Sequence, residues 1–225
     1  NVQASTTASR KFHQLITANG QYSNEAWVVP GNVVQEDARI VSYSGSTTAR
    51  NFTMGQTMYN YDFFGRSTTT GANGTPQLST DDEDERLQAS LQHVVMTYDP
   101  VNGRRIYVNG EFTGDLDAAR GGTLGEVGNS LAMPAAPTSD APITAPRTYV
   151  TGEFTGDLAP AGGGTLGDWD NSFAFVLGNE VSNNRQWTGV IRLAAIHNRA
   201  LTLQQVQQNF EAGVGEKFFL LFGIS

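Results

Sequence analysis

The chain of 225 residues contains no cysteine and carries a formal net charge of −8. Without cysteine, thiol catalysis and sulfur-ligated zinc or iron–sulfur sites are excluded. The acidic balance argues against nucleic acid or an anionic membrane surface as the main partner, and no apolar run approaches the ~20 residues of a membrane-spanning helix. We therefore expect neither nucleic-acid binding nor membrane insertion.

Short runs rich in β-branched and aromatic residues follow one another along the chain, separated by turns that carry glycine, asparagine or proline. Such runs without intervening helices are typical of an antiparallel two-sheet sandwich or jelly roll. We predict an all-β fold in a single domain over residues 1–225. The predicted strands cover residues 11–17, 22–29, 39–43, 51–55, 58–64, 91–97, 105–108, 172–177 and 186–197.

One short helix is predicted near the C-terminus, in the segment RALTLQQVQQNFEAGVG. Thr202 and Gln205 have the spacing of a capping box, and Leu203, Val206 and Phe210 share one helix face. The chain then ends in KFFLLFGIS, which we interpret as an apolar edge strand through which the protein could self-assemble. Because both ends look cut, we expect a module of a longer protein, with neighbouring domains among its partners.

The stretch GEFTGDL occurs twice, at residues 110–116 and 152–158. With an offset of 42, residues 105–130 match residues 147–172 at 18 of 26 positions. Two units are fewer than the three or so that a solenoid needs, so we interpret the repeat as a duplicated hairpin with a proline-rich insertion around residues 110–151. Only the second copy ends in DWDN, and this favours residues 147–172 as the copy that occupies the strand position in the sheet. The first copy, or the spacer after it, is then expected to project outward.

Four stretches resemble the laminin-G-like, concanavalin A-like jelly-roll modules of bacterial surface and secreted proteins. They are YSNEAWVVPGN, LQHVVMTYDPVNGRRIYVNGE, DWDNSFAFVLGNE and WTGVIRLAAIHNRALTLQQVQQNFEAG. Their order and spacing are similar to the family pattern from about residue 22 to residue 213, although Gln92 and Asn109 replace a histidine and an aspartate of that pattern. The resemblance implies a concanavalin A-like sandwich and a secreted or cell-surface setting in a bacterium, with the periplasm as an alternative.

Arg199 follows a strand rich in Ile and Ala and precedes the helix cap. A buried charge needs a partner, so we expect Arg199 to pair with Glu25 or with a backbone carbonyl rather than with a ligand.

Sugars are held by aromatic faces together with planar amide and carboxylate groups, often beside a calcium ion. The candidate sugar-binding residues of these types are Tyr59, Tyr61, Asn183, Asn184 and Trp187. For each of them a structural role, as a core aromatic ring or a turn-forming asparagine, stays open.

Calcium is the one cofactor that the sequence suggests, because calcium takes hard oxygen ligands from adjacent loops. The candidate ligands are Asp168, Asp170, Asn179 and Glu180.

Catalytic patterns are not apparent in the sequence. It has no E-x-D-x-x-E run of the kind that glycosidases of this shape carry, and His13, His93 and His197 are not paired at the spacing of a zinc site. We therefore expect a non-catalytic extracellular binding or adhesion module that recognises a carbohydrate or a surface protein, with or without calcium. A polysaccharide-active glycosidase or lyase of the same fold, or a structural assembly domain of a surface filament, are the alternatives.

Overall fold

The computed structural model describes residues 2–115, residue 117 and residues 163–222. The strands are β1 (Val2–Gln3), β2 (Tyr22–Pro30), β3 (Ala38–Ser46), β4 (Ala49–Thr57), β5 (Asn60–Gly65), β6 (Leu78–Ser79), β7 (Gln92–Asp99), β8 (Gly103–Val108), β9 (Glu111–Phe112), β10 (Ala174–Leu177) and β11 (Gly189–His197). The helices are α1 (Thr6–Asn19) and α2 (Leu203–Phe222). A six-stranded sheet runs in the order β1-β10-β3-β4-β5-β6, and a five-stranded sheet in the order β11-β2-β7-β8-β9, with every pairing antiparallel.

The core lies between the two sheets. On β2, Tyr22, Ala26 and Val28 belong to this core, whereas Glu25 and Trp27 alternate with them and lie on the outer face. That outer face is also buried, because Phe210 of α2 stacks on Trp27 with ring centroids 5.8 Å apart. A strand that is apolar on both faces thus sits between two layers, and the predicted antiparallel sandwich is confirmed.

Residues 11–17 were expected to form a strand, and this prediction is wrong because they belong to α1. Ser9 and Ile16 are buried and lie seven residues apart, which is two helical turns. Between them, a ring nitrogen of His13 lies 3.1 Å from the Trp169 carbonyl oxygen. These contacts hold α1 against the sandwich, and their period is that of a helix rather than of a strand.

The capping box of α2 is confirmed. The Thr202 N–H donates to Gln205 Oε1 at 3.1 Å, and the Gln205 N–H donates to Thr202 Oγ1 at 3.3 Å. The expected C-terminal edge strand is wrong, because the chain is helical to Phe222, with a break at Gly213. A short continuous apolar run has no period of its own, so the sequence could not separate strand from helix there. None of the described helices is long and apolar enough to span a membrane.

The expected arrangement of the two GEFTGDL copies is also corrected. The first copy does not project outward: it supplies part of β8 and all of β9, where Tyr107 pairs with Val95 on one side and with Phe112 on the other. The strand region of the second copy and the proline-rich spacer lie outside the described residues. The end of the second copy is in place, and its Trp169 is buried in the core.

Three side chains explain why the first copy fits the sheet. Ile106 is fully buried between the sheets, and Asn109 adopts the left-handed conformation (φ 52°) that the turn after β8 requires. Asp117 forms a buried ion pair with Arg104, with Nη2 and Oδ1 2.6 Å apart. The second copy has threonine, threonine and alanine at the corresponding positions 148, 151 and 159.

Candidate ligand-binding surface

Three loops meet at one end of the sandwich, and together we call them the loop rim: residues 31–37, 57–59 and 178–188. Gln35 joins them. Its carbonyl oxygen accepts from the Met58 N–H at 2.7 Å, and its Nε2 donates to the Thr188 carbonyl at 2.8 Å and to Gln56 Oε1 at 3.1 Å. Gln35 therefore holds the loop that carries Tyr59 at the same end of the molecule as Asn183 and Asn184.

The loop rim presents an aromatic ring and planar polar groups to solvent. Tyr59 is 37% exposed, and Asn183 and Asn184 are exposed. Asn183 is in the left-handed conformation and accepts a hydrogen bond from Asn179 Nδ2 at 2.9 Å, which fixes its loop. The Arg185 guanidinium, about one-third exposed, pairs with Asp37 in the neighbouring loop. This combination matches the chemistry that the sequence predicted for sugar recognition.

Beneath the loop rim, on the outer face of the six-stranded sheet, lies an arginine cluster formed by Arg39, Arg50 and Arg185 with Asp37 and Glu180. Two of these arginines lie over the ring of Phe64: Arg39 Cζ is 4.5 Å and Arg50 Cζ is 4.9 Å from the ring centroid. Burial, together with the nearby charge of Arg39, lowers the pKa of Arg50 to about 10. The Glu180 carboxylate, 3.6 Å from Arg50 Nη2, opposes that shift. The cluster thus links the loops that carry Asp37, Glu180 and Arg185 to strands β3 and β4 beneath them.

Asp62 lies on the same face of the sheet and shows how strongly this region is desolvated. Burial raises the pKa of its carboxyl group, while hydrogen bonds from Ser79 and Thr57 act in the opposite direction. The Ser79 hydroxyl donates to Asp62 Oδ1 at 2.6 Å. Both carboxylate oxygens of Asp62 accept hydrogen bonds from neighbouring hydroxyl groups. Asp62 therefore has a structural role beneath the loop rim and is not presented to a ligand.

The structure separates the five candidate sugar residues into two groups. Tyr59, Asn183 and Asn184 lie on the loop rim, whereas Tyr61 and Trp187 are buried in the core. The Tyr61 hydroxyl donates to Gln92 Oε1 at 2.7 Å. The indole Nε1 of Trp187 donates to Gln56 Oε1, also at 2.7 Å. Tyr61 and Trp187 therefore build the interior behind the rim.

The four candidate calcium ligands fall at opposite ends of β10. Asp168 and Asp170 precede the strand, and Asn179 and Glu180 follow it. Asp170 Oδ1 accepts from the Ser172 hydroxyl at 2.6 Å, and hydrogen bonds from Ser172 lower the pKa of Asp170. Within the described ranges, no three His, Asp or Glu side chains are grouped so that they could hold a metal ion. Calcium binding stays a prediction.

Glu25, a buried carboxylate on the outer face of the five-stranded sheet, has three side-chain partners that the sequence did not predict. Glu25 Oε1 lies 3.0 Å from His93 Nε2, and its Oε2 lies 2.8 Å from His197 Nε2 and 3.0 Å from Asn209 Nδ2. Because an ionised carboxylate only accepts hydrogen bonds, both histidines donate through Nε2. The described ion pairs of Glu25 are with these histidines, while Arg199 is exposed and offers its backbone carbonyl to Ser23 Oγ at 2.8 Å. The expectation for Arg199 is therefore wrong: its guanidinium is exposed and pairs neither with Glu25 nor with a backbone carbonyl within the described residues, and only its own main-chain oxygen is engaged.

Sequence reasoning missed Gln35, Asp37 and the three arginines of the cluster. Gln35 and Asp37 carry no pattern in a loop, and Arg39 and Arg50 look like ordinary polar positions at strand ends. One signal was present: arginine at the edges of apolar strands is costly to bury unless it is paired, so Arg39 and Arg50 implied carboxylates from other loops.

Solved structures with related architecture include two binding domains and a pentraxin. A receptor binding domain is 11% identical (TM-score 0.48), with 89% of this chain and 37% of that chain covered. The binding domain of botulinum neurotoxin DC, in complex with rat synaptotagmin II, is 11% identical (TM-score 0.47), with 87% and 36% covered. A heptameric SAP-like pentraxin from Limulus polyphemus is 14% identical (TM-score 0.48), with 84% and 68% covered. This chain thus spans little more than one-third of the two binding-domain structures, and identities this low concern the fold alone.

No curated protein sequence matches the chain significantly. The family model of laminin G-like domains (Laminin_G_3) matches residues 3–146. These residues include β2 through β9, and hence the β2, β7 and β8 strands that carry the EAW and HVVMTYD motifs. The sandwich, its strand order and this match together show that the chain belongs to the concanavalin A-like lectin/glucanases superfamily.

Proposed function

We propose that the protein is a non-catalytic extracellular binding module that recognises a glycan through its loop rim, in a secreted or cell-surface protein of a bacterium. The observation that carries this proposal is the junction at Gln35, which brings an exposed tyrosine and two exposed asparagines to one end of the sandwich. Aromatic faces pack on the apolar side of sugar rings, and planar amides satisfy their hydroxyl groups. The loop rim supplies both kinds of contact.

The stiffness of the rim supports this proposal. A ligand gains affinity when the groups that contact it are held in place before binding. The Gln35 hydrogen bonds, the Arg185–Asp37 ion pair and the Asn179–Asn183 hydrogen bond tie the three loops to one another and to the strands beneath them. Little ordering of these loops is then needed when a sugar arrives.

The arrangement of the titratable groups favours binding over catalysis. Glu25 and His93 form a carboxylate–imidazole pair, but both side chains are buried, and His93 lies under Phe210 with ring centroids 6.0 Å apart. A substrate could not reach them without displacing α2. At the rim, the Asp37 and Glu180 carboxylates are paired with arginines, and Glu180 is buried.

Binding to a broad glycan array tests the proposal. We expect the wild-type protein to bind at least one glycan class, and we expect Tyr59→Ala to weaken that binding about tenfold, because one aromatic–sugar contact is lost. Asn184→Ala should weaken it as well. Phe12→Ala is the matched control, since Phe12 is an exposed aromatic of similar accessibility (39%) on α1, away from the rim. No binding to any glycan, or equal binding by wild type and Tyr59→Ala, would overturn the proposal.

The same array separates the calcium question from the glycan question. Binding that is lost in EDTA and restored by calcium would support a calcium-assisted site, whereas binding that is unchanged in EDTA would assign recognition to the rim side chains alone. Loss of binding by Phe12→Ala but not by Tyr59→Ala would move the glycan site away from the rim.

A further inference from the structure

A cleft of about 330 Å³ opens between α1 and the C-terminal end of β11, whereas the loop rim lies at the N-terminal end of that strand. The apolar part of its lining comes from Phe12, Leu15 and Ile16 of α1 and from Ile196 of β11. Phe12 and Leu15 are 39% and 47% exposed. Two large apolar side chains on one helix face are therefore in contact with water, although the neighbouring Ile16 is buried in the core.

The remaining lining residues are polar and basic: His197, Asn198 and Arg199. Arg199 is exposed and forms no ion pair within the described part of the chain. His197 is held through Nε2 by Glu25, so its other ring nitrogen, Nδ1, is the one that could meet a ligand. Apolar walls with a cationic group at the edge are the ordinary design of a pocket for an amphipathic anion.

The distribution of charge strengthens this reading. The protein carries a net charge of −8, yet residues 1–24 contain no aspartate or glutamate, and neither do residues 181–210. The elements that form the cleft instead carry Arg10, Lys11, Arg192 and Arg199. Lys11 lies one helical turn before Leu15 and so on the same side of α1. Glu25 contacts His197 but does not line the cleft itself. An anionic group is favoured here although the molecule as a whole repels one.

We propose that this cleft binds a small amphipathic carboxylate, with its apolar body against Phe12, Leu15 and Ile196 and its carboxylate on Arg199. The cleft lies at the lower end of the range of about 300–1,000 Å³ that ligand pockets occupy, which suits a medium-length alkyl chain or one aromatic ring. Each methylene moved out of water onto the apolar part of the lining adds to the affinity, and the arginine supplies orientation through a charge-assisted hydrogen bond. This site is independent of the glycan proposal.

Titration with decanoate below its micelle concentration, followed by calorimetry and by amide chemical shifts, tests the proposal. We expect saturable binding of one decanoate per chain, with shifts confined to α1 and to the end of β11. Arg199→Gln should weaken binding roughly tenfold, since a charge-assisted hydrogen bond is lost. Arg192→Gln is the matched control: it removes an exposed arginine of β11 that does not line the cleft, and it should change the affinity less than about twofold.

Two further ligands and one further variant make the outcome decisive. Decanol keeps the apolar body without the charge and should bind more weakly than decanoate, while acetate keeps the charge without the body and should not bind. Leu15→Glu places a negative charge on the exposed wall, where it cannot disturb the core, and should abolish decanoate binding. Absence of saturable binding, equal weakening by Arg192→Gln and Arg199→Gln, or decanol binding as tight as decanoate would each overturn the proposal.

Discussion

At the scale of single residues, this protein depends on buried charges that have several partners each. Arg104 is the clearest case. Its guanidinium holds both carboxylate oxygens of Asp117, and it donates to the backbone carbonyls of Phe63, Gly74 and Pro76 at 2.7–3.2 Å. One side chain thus ties the five-stranded sheet to the six-stranded sheet and to the segment that follows β9. Removal of the side chain of one member of such a pair leaves the other buried without its counter-charge.

We therefore predict that Arg104→Met lowers the free energy of unfolding by about 3–5 kcal/mol, because Asp117 stays buried without the Arg104 guanidinium while three carbonyls lose their donor. The neighbouring Arg105→Met is the control. Arg105 is only partly buried, bonds Asn102 Oδ1 at 2.7 Å and lies over the edge ring of Phe112, so its loss should cost less than about 1 kcal/mol. Urea unfolding of both variants measures the difference, and equal destabilisation would contradict this account.

At the scale of elements, α2 is docked by contacts to two different parts of the five-stranded sheet. Phe210 stacks on Trp27 and on His93, and Asn209 donates to Glu25. Phe210 also lies over Gly110 in the turn between β8 and β9, where an added Cβ would come within 2.9 Å of the ring. The first glycine of GEFTGDL is thus required both by its backbone conformation (φ 84°) and by the helix above it.

Two substitutions in the same heptapeptide separate these requirements. Gly114 also has a positive φ, of 86°, but nothing lies within 4 Å of an added Cβ. We predict that Gly114→Ala costs about 1–2 kcal/mol of unfolding free energy from backbone strain alone. Gly110→Ala should cost more, because Phe210 must also move, and it should lower the near-ultraviolet circular dichroism of the stacked aromatic rings. If both variants lose the same stability, the packing of Phe210 on Gly110 is not a constraint.

At the scale of the whole molecule, one strand–loop unit is assembled from two copies of a repeat. The first copy contributes β8, β9 and Asp117, and the second contributes Gly163 onward, including Trp169. The two contributions meet at the β7–β8 turn: Asp117 Oδ2 accepts from the Arg104 N–H at 2.8 Å, and the Gly163 N–H donates to the Pro100 carbonyl at 2.7 Å. If residues 118–159 are removed, the three residues 160–162 link Asp117 to Gly163. Three residues can span about 10 Å, which is long enough to join these points.

Two deletions, each of one 42-residue period, test this assembly. Removal of residues 118–159 keeps Ile106, Asn109 and Asp117, and we predict cooperative unfolding with a free energy within about 1 kcal/mol of the wild type. Removal of residues 105–146 places threonine, threonine and alanine at those positions, and we predict a loss of at least about 3 kcal/mol from the unpaired Arg104 alone. Thermal unfolding followed by circular dichroism compares the two. Equal stability of the two deletions would show that either copy serves the sheet.

Much of the architecture was readable from local pattern. Alternating apolar residues located β2 to β5, β7, β8, β10 and β11, and the Thr202–Gln205 spacing located the start of α2, because both signals depend on neighbours within a few positions. The two-residue strands β6 and β9 are too short to carry such a signal. The same reasoning failed at residues 11–17, where a short run fits either period and only the packing of Ile16 and His13 selected the helix.

By itself, the sequence determined the sandwich, its family and the residue types at the loop rim. Only the tertiary structure decided which of those residues face solvent, that the first copy of the repeat supplies part of β8 and all of β9, and which partners Glu25 and Arg104 have. The physical reason is that a strand or a cap is stabilised by neighbours in the chain. A buried carboxylate or guanidinium is instead stabilised by whatever donors and acceptors the fold brings within 3 Å of it, and for Glu25 and His197 these lie 172 residues apart.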